Sequence, residues 1–319
     1  MFLFSKRGEK VAKYILKRIA TSIITLWAVI TITFFMLRLL PGGPFTGERN
    51  IPEAIMQNLE VKYGLDKPLF EQYGLYLKNL LQGDLGESMK YAGKEVSEII
   101  SYSFPSSAKL GVVVISIALI FGITLGIIAA LKYNSWPDSL CMVLATLGVT
   151  IPSFVLATVL MYIFGVKYKL LPVTGLNSPV SYILPALALG GYSIAFISRL
   201  TRSKLLETLN SDYIRTARAK GVSGFKVIVK HALRNTLIPI ITYLGPLIAG
   251  ILTGSFVVEK IFAIPGLGRE FVNTISNRDY TVIMGVTVFY SSILIICNLL
   301  VDLLYGIIDP RIKLDDIKQ

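Results

Sequence analysis

Six apolar stretches, each long enough to cross a bilayer, limit this chain more than any single motif does; they run over 19–40, 109–131, 140–166, 181–200, 236–258 and 281–308. A hydrocarbon core of about 30 Å needs about 20 helical residues at about 1.5 Å each. In lipid, every backbone N–H and C=O must find a partner within the protein, so helices are the expected form. With 53% hydrophobic and 16% charged residues in 319 positions, the chain is too apolar for a soluble globule. The expected fold is all-α and polytopic, with six transmembrane helices.

Charge gives the orientation. Lys6, Arg7, Lys10, Lys13, Lys17 and Arg18 precede the first span, with no A-x-A cleavage site after it, which predicts a retained helix and a cytoplasmic N-terminus (1–18). Arg199, Arg202, Lys204, Arg215, Arg218, Lys220, Lys226, Lys230 and Arg234 crowd the connection before the fifth span, expected as a cytosolic loop over 201–235. The two later outer loops hold few basic residues, Lys167 and Lys169 in one and Lys260, Arg269 and Arg278 in the other, and the tail 309–319 ends inside. Between 41 and 103 nine acidic residues face six basic ones, as expected of an extracytoplasmic domain. There, Leu69, Tyr73, Tyr76, Leu77, Leu80 and Leu81 recur at helical spacing and predict an amphipathic helix at the outer mouth. The net charge of +12 sits beside apolar spans, so membrane lipids and not nucleic acid are the expected polyanionic partner.

Within the spans, Gly122 and Gly126 form a small-xxx-small pair that lets another helix approach closely. Pro152, Pro185, Pro239 and Pro246 are expected to kink their helices, with lining of a pathway as the alternative. Arg38, near the outer end of the first span, is expected to snorkel to the interface. Asp302 is a carboxylate at membrane depth, read as a packing or interfacial residue. Cys141 and Cys297 lie in apolar spans and read as small buried hydrophobes. The chain has one histidine, no G-x-x-x-x-G-K-[ST] loop and no H-E-x-x-H, so it is expected to bind no cofactor or metal and to hydrolyse no ATP itself.

One polar run stands out, DYIRTARAKGVSGFKVIVKHALRNTLIP over 212–239. Asp212 can cap a helix over 213–220, Gly221 suits the C′ position after it, and Ser223 can cap a second helix. Tyr213, Ala217 and Gly221 share one narrow side of the first helix. Too short to hold itself together, it is expected to have that side covered by a partner.

RTARAKG followed by HALRN resembles the EAA-x-x-x-G loop of ABC importer permeases, in the form of the peptide and nickel branch. PGGPFTGER, YGL-D-KP, QY, GDLG and SFPSSAKLG, in that order, resemble the B-type permease of oligopeptide importers over nearly the whole chain. The resemblance implies a type I ABC importer permease domain over 104–302 and an outer re-entrant or gating loop over 259–280. It also implies that Asp212, Tyr213, Arg215, Thr216, Ala217, Arg218, Ala219, Lys220, Gly221, His231 and Leu233 couple the spans to ATPase subunits. The partners implied are a homologous C-type permease, two ABC ATPases that use ATP and Mg, an extracytoplasmic peptide-binding protein and an oligopeptide substrate, at a bacterial plasma membrane. A dipeptide or nickel permease of the same branch is the alternative, and a passive channel a remoter one. Gln82→Cys should react with an impermeant thiol reagent in intact cells; labelling only after permeabilisation would reverse the orientation.

Overall fold

The computed structural model describes the backbone of residues 2–45, 52–253 and 256–308, and the side chains of 15–45, 52–248, 250–251 and 256–300. Its helices are α1 (Phe2–Leu39), α2 (Glu53–Lys62), α3 (Leu69–Leu81), α4 (Val96–Leu131), α5 (Trp136–Thr150), α6 (Ser153–Leu160) and α7 (Ile183–Leu209). Then follow α8 (Asp212–Ala219), α9 (Gly224–Lys226), α10 (Leu233–Thr236), α11 (Ile238–Thr253), α12 (Phe256–Ile261), α13 (Leu267–Asn277) and α14 (Tyr280–Ile308). The described chain divides into two compact units: residues up to Pro105 with Pro265–Leu299, and Ser106–Ile264 with Leu300–Ile308.

In the first unit, Pro52 and Pro68 stand at the N-caps of α2 and α3 in extended conformations, where no backbone N–H is required. Glu53 and Glu71 in the first turns, and Lys62 and Lys78 in the last, complement the helix dipoles. Tyr73, Tyr76, Leu77 and Leu80 of α3 pack on Ile30, Phe34 and Leu37 of α1 and on Tyr280, Ile283 and Met284 of α14. The predicted apolar side is therefore narrower in fact, because Leu81 is 89% exposed. The Thr31 and Tyr73 hydroxyls share a hydrogen bond of 2.6 Å between α1 and α3. The Arg38 guanidinium lies 3.6 Å over the Phe34 ring and its Nε donates to Gln72 Oε1 at 2.8 Å. Asp279 caps α14 from a fully buried position, its carboxylate accepting from the backbone N–H groups of Val282 and Met89 and from the Ser88 hydroxyl.

The second unit is arranged on α7, which packs against α5, α6, α10, α11 and α12. Its core joins Leu110, Val114 and Ala118 of α4, Leu184, Ala186, Ala188 and Ile197 of α7, Ile240 and Leu247 of α11, and Val258 and Phe262. The predicted glycine pair does bring helices together, since a Cβ on Gly122 would lie 2.8 Å from the Ile197 side chain and one on Gly126 would lie 2.6 Å from the Ser198 carbonyl oxygen. At one end of α5, the Asp138 carboxylate is 4% exposed and accepts from Arg202 Nε at 2.6 Å, Arg202 Nη2 at 2.8 Å and the Asn134 N–H at 2.9 Å. This bidentate pair has a share in a cluster that sequence reading treats as a polar turn and a topology charge.

The expected spans change at several places. The apolar stretch over 140–166 is two helical segments bent by 110° at Ile151–Pro152. Proline has no N–H to give and restricts its predecessor, which here is extended at φ −86°, ψ 120°, so α5 stops and a new helix starts. Among the described residues four helices are long and apolar enough to cross a membrane, five if the bent pair counts as one span. The stretch expected as the fifth span has an apolar helix only over Ile238–Ile248 by the same measure. Several helices outrun their apolar stretches: α4 begins at Val96, and α7 continues to Leu209, inside the region expected as loop. The predicted outer loop contains α13, whose end at Arg278 is left-handed (φ 58°). Cys141 is buried and Cys297 half-buried, both as free thiols. Asp302 lies in α14, its side chain outside the described residues, as is the tail 309–319.

Gly126→Val should sharply lower the melting temperature of the purified protein, because the added carbons must displace backbone as well as side chains. Gly74→Ala, exposed in α3 with nothing within 4 Å of the added Cβ, should leave it unchanged or raise it, by about 0.5–1 kcal/mol of stability. Equal melting temperatures for Gly126→Val and the parent protein would contradict the close approach.

Candidate functional site

The polar run folds as two short helical pieces around a glycine. Ser211, extended at φ −74°, ψ 152°, precedes α8, and Asp212 is its first helical residue. This moves the cap one residue from its expected place at Asp212, whose carboxylate instead sits in the positive end of the first turn, 3.9 Å from Arg215 Nη1. The other end closes as a Schellman turn: the Gly221 N–H donates to the Arg218 carbonyl at 3.0 Å and the Val222 N–H to the Ala217 carbonyl at 3.2 Å. Gly221 has φ +77°, and a Cβ there would meet nothing within 4 Å. Glycine is needed for the left-handed turn and not for room.

What covers the apolar side of α8 is the chain itself. Ile214 is fully buried in a cluster with Ala130 of α4, Leu205 of α7, Val227 and Ala232, and Ala217 and Val222 pack against it. The expectation that only a partner could cover Ala217 is thereby corrected. The sequence signal was present, since Ile214 and Ala217 are three apart and share a helix face, but grouping Ala217 with Tyr213 four residues earlier hid it. Tyr213 is half exposed, and its hydroxyl accepts from Asn235 Nδ2 at 2.7 Å. That bond ties α8 to α10.

The second piece runs from the single turn of α9 through a π-helical stretch, Val227–Ala232, into α10. The second helix expected after Ser223 does start at Gly224, and its wider π-helical stretch places Val227 and Ala232 inward. His231 and Leu233 are half-buried, so of the expected coupling residues they and Ala217 are the ones turned partly into the protein. Asp212, Arg215, Thr216, Arg218, Ala219, Lys220 and Gly221 are exposed. Lys226, Lys230 and Arg234 are exposed too, as is Phe225 at 77%. The outer surface is thus a cationic patch carrying two large aromatic rings, Tyr213 and Phe225, the composition that concentrates binding energy at protein interfaces. Sequence reading missed Phe225, whose exposure no periodicity in so short a helix predicts.

A second internal polar site also escaped the sequence. Glu259 of α12 is fully buried, and its Oε1 accepts from the Ser107 hydroxyl at 2.8 Å. The described residues hold no group of three or more His, Cys, Asp or Glu able to bind a metal.

The family of binding-protein-dependent transport system inner membrane components matches residues 122–314, and its N-terminal domain matches 11–127. A dipeptide transport system permease, DppB, of Bacillus subtilis is 52% identical over 95% of this chain and 98% of its own. An oligopeptide transport system permease, OppB, of Escherichia coli is 46% identical over 94% and 99%. A dipeptide permease of Lactococcus lactis is 40% identical over 95% and 99%. Among solved structures, a chain of an amino acid ABC transporter crystallised with histidines superposes with a TM-score of 0.53 at 15% identity, over 66% of this chain and 94% of the other, a likeness of fold.

Gly221→Ala should cost about 1–2 kcal/mol in the left-handed turn and speed amide exchange over 212–220, whereas Gly224→Ala should not. Unchanged exchange in Gly221→Ala would mean that the turn does not hold α8.

Proposed function

Because the chain belongs to the family of binding-protein-dependent transport system inner membrane components, we propose that it is the permease subunit of an ATP-driven peptide importer. The surface that carries this reading is α8 with the segment that follows it to Arg234, pinned inside by Ile214 and exposing arginines, lysines and the rings of Tyr213 and Phe225 outside. An ATPase subunit docked there would move α8 as a rigid lever, because its inner side is already fastened to α4 and α7. In this reading a C-type permease completes the pathway, two ATPases supply the energy from ATP and Mg, and a binding protein delivers the peptide. The spans rock between inward and outward openings. The basic segments face the cytoplasm by the positive-inside rule, and the region over 41–103 lies outside. The chain contributes path and lever, with no catalytic step of its own.

The substrate proposed is an oligopeptide, on the strength of GGPFTGER before the outer region. The 52% identity to a dipeptide permease supports dipeptides as a second reading. Uptake of labelled di-, tri- and pentapeptides and of nickel, in cells with and without this chain, separates them; nickel uptake alone would overturn both.

Docking has a position-specific test. In an intact, active complex, Ala219→Cys should cross-link to an ATPase subunit, while Ala217→Cys should do so weakly, since its side chain turns towards the Ile214 cluster. An uncoupled ATPase and lost uptake are expected for Arg215→Glu combined with Arg218→Glu, with protein level unchanged. Wild-type uptake by that variant would reduce the segment to a charged loop.

A further inference from the structure

The first unit contains a cavity of about 390 Å³ whose lining includes Arg38, Lys62, Gln72, Tyr76, Glu87 and Tyr280. Its charges are mostly spent on one another. Lys62 and Glu87 pair at 2.9 Å, which holds the Glu87 carboxyl below its usual range, with the Gly93 N–H assisting, and the Lys62 ammonium above its own. Lys67 is held by Glu71 at 3.1 Å, and Asp84 accepts from the Gly86 N–H at 2.7 Å. Arg38 is the exception: among the described residues its guanidinium donates to a neutral amide and stacks on Phe34, with no carboxylate paired to it.

Two phenol hydroxyls line the same space. Tyr280 is 3% exposed, and its hydroxyl and that of Tyr76 are buried with no hydrogen-bond partner among the described residues. Both lie within electrostatic reach of Arg38. Burial pushes the Tyr76 phenol well above its usual range, so it keeps its proton and remains a donor. One cation and two unused O–H donors therefore converge where a buried polar group without a partner costs about 1–3 kcal/mol. An oxyanion satisfies all three.

The surroundings say what carries that oxyanion. Arg38 stands at the end of the apolar stretch Ile15–Leu39 and Tyr280 at the start of the stretch Tyr280–Leu300, so the cavity lies at the level where hydrocarbon meets water. Val61 and Leu75, also on its lining, are 64% and 38% exposed, and the same hairpin exposes Phe70 and Leu81 at 79% and 89%. A free ion has no use for an apolar rim, whereas an amphiphile does.

We propose that this cavity binds the headgroup phosphate of an anionic phospholipid, held by Arg38, Tyr76 and Tyr280, with the glycerol and acyl chains lying over Val61 and Leu75. Arg38 and the two phenols give the phosphate three to five donors, and the lack of a counter-charge on Arg38 favours a lipid of net negative charge. The site is independent of the coupling surface and of which peptide is carried.

The test uses the full chain purified in detergent, with short-chain phosphatidylglycerol, the matched phosphatidylcholine and inorganic phosphate as separate probes, and binding followed by intrinsic fluorescence. Phosphatidylglycerol should bind at least about tenfold more tightly than phosphatidylcholine, and inorganic phosphate should compete only weakly. Tyr76→Phe with Tyr280→Phe, which keeps both rings packed, should weaken phosphatidylglycerol about fivefold or more, the loss of one to two hydrogen bonds. Arg38→Gln should abolish the preference over phosphatidylcholine. Binding that ignores the double phenylalanine variant, or phosphate as effective as the lipid, would overturn the proposal; so would the absence of binding to the parent protein.

Discussion

Inside lipid no water accepts a backbone hydrogen bond, and the consequences of that constraint reach every part of this chain. Helices satisfy it wherever their run of N–H donors is unbroken. Where Pro152 removes a donor, the helix cannot continue and the chain bends by 110°. The free backbone groups at such a break need protein around them, and α5 and α6 on either side both pack on α7. The close approach needed there and at α4 is made by glycines: Gly148 faces the Gly191 carbonyl, as Gly126 faces that of Ser198.

The same helix α7 links membrane and candidate coupling surface. It runs on past its apolar part to Leu209, carrying Leu205 into the cluster that seats Ile214. A short helix of eight residues cannot hold its own shape. Here one isoleucine, a Schellman turn and the Tyr213–Asn235 bond fasten it, leaving its polar outer side free for another protein. The proposed lever role rests on both properties, rigidity towards its own spans and an open outer face.

The first unit solves a different problem, the packing of polar chain beside apolar helix. Aromatic rings of α3 lie on α1, with Tyr73 5.1 Å from Phe34 edge to face. Asp279 is wholly buried yet satisfied by three donors, which fastens the Ser88 loop to the start of α14. At the end of the apolar stretch of α1, a ring below and an amide beside it hold the Arg38 guanidinium in place.

Much of the fold and part of the site were legible in the chain. Apolar runs determine that it is helical and membrane-bound, Gly122 and Gly126 mark a close helix contact, and Gly221 marks a left-handed helix end, because hydropathy, the lack of a Cβ and local hydrogen bonding act over a few neighbouring residues. The resemblance carried by RTARAKG and HALRN locates the surface within the chain. Only the tertiary structure decided that Pro152 breaks its span outright, that Ala217 turns inward while Ala219 stays outside, that Asp138 pairs with Arg202, and that Arg38, Tyr76 and Tyr280 share one cavity. Each depends on groups distant in sequence meeting at a few ångströms, and no local propensity encodes which side of a helix will find a neighbour.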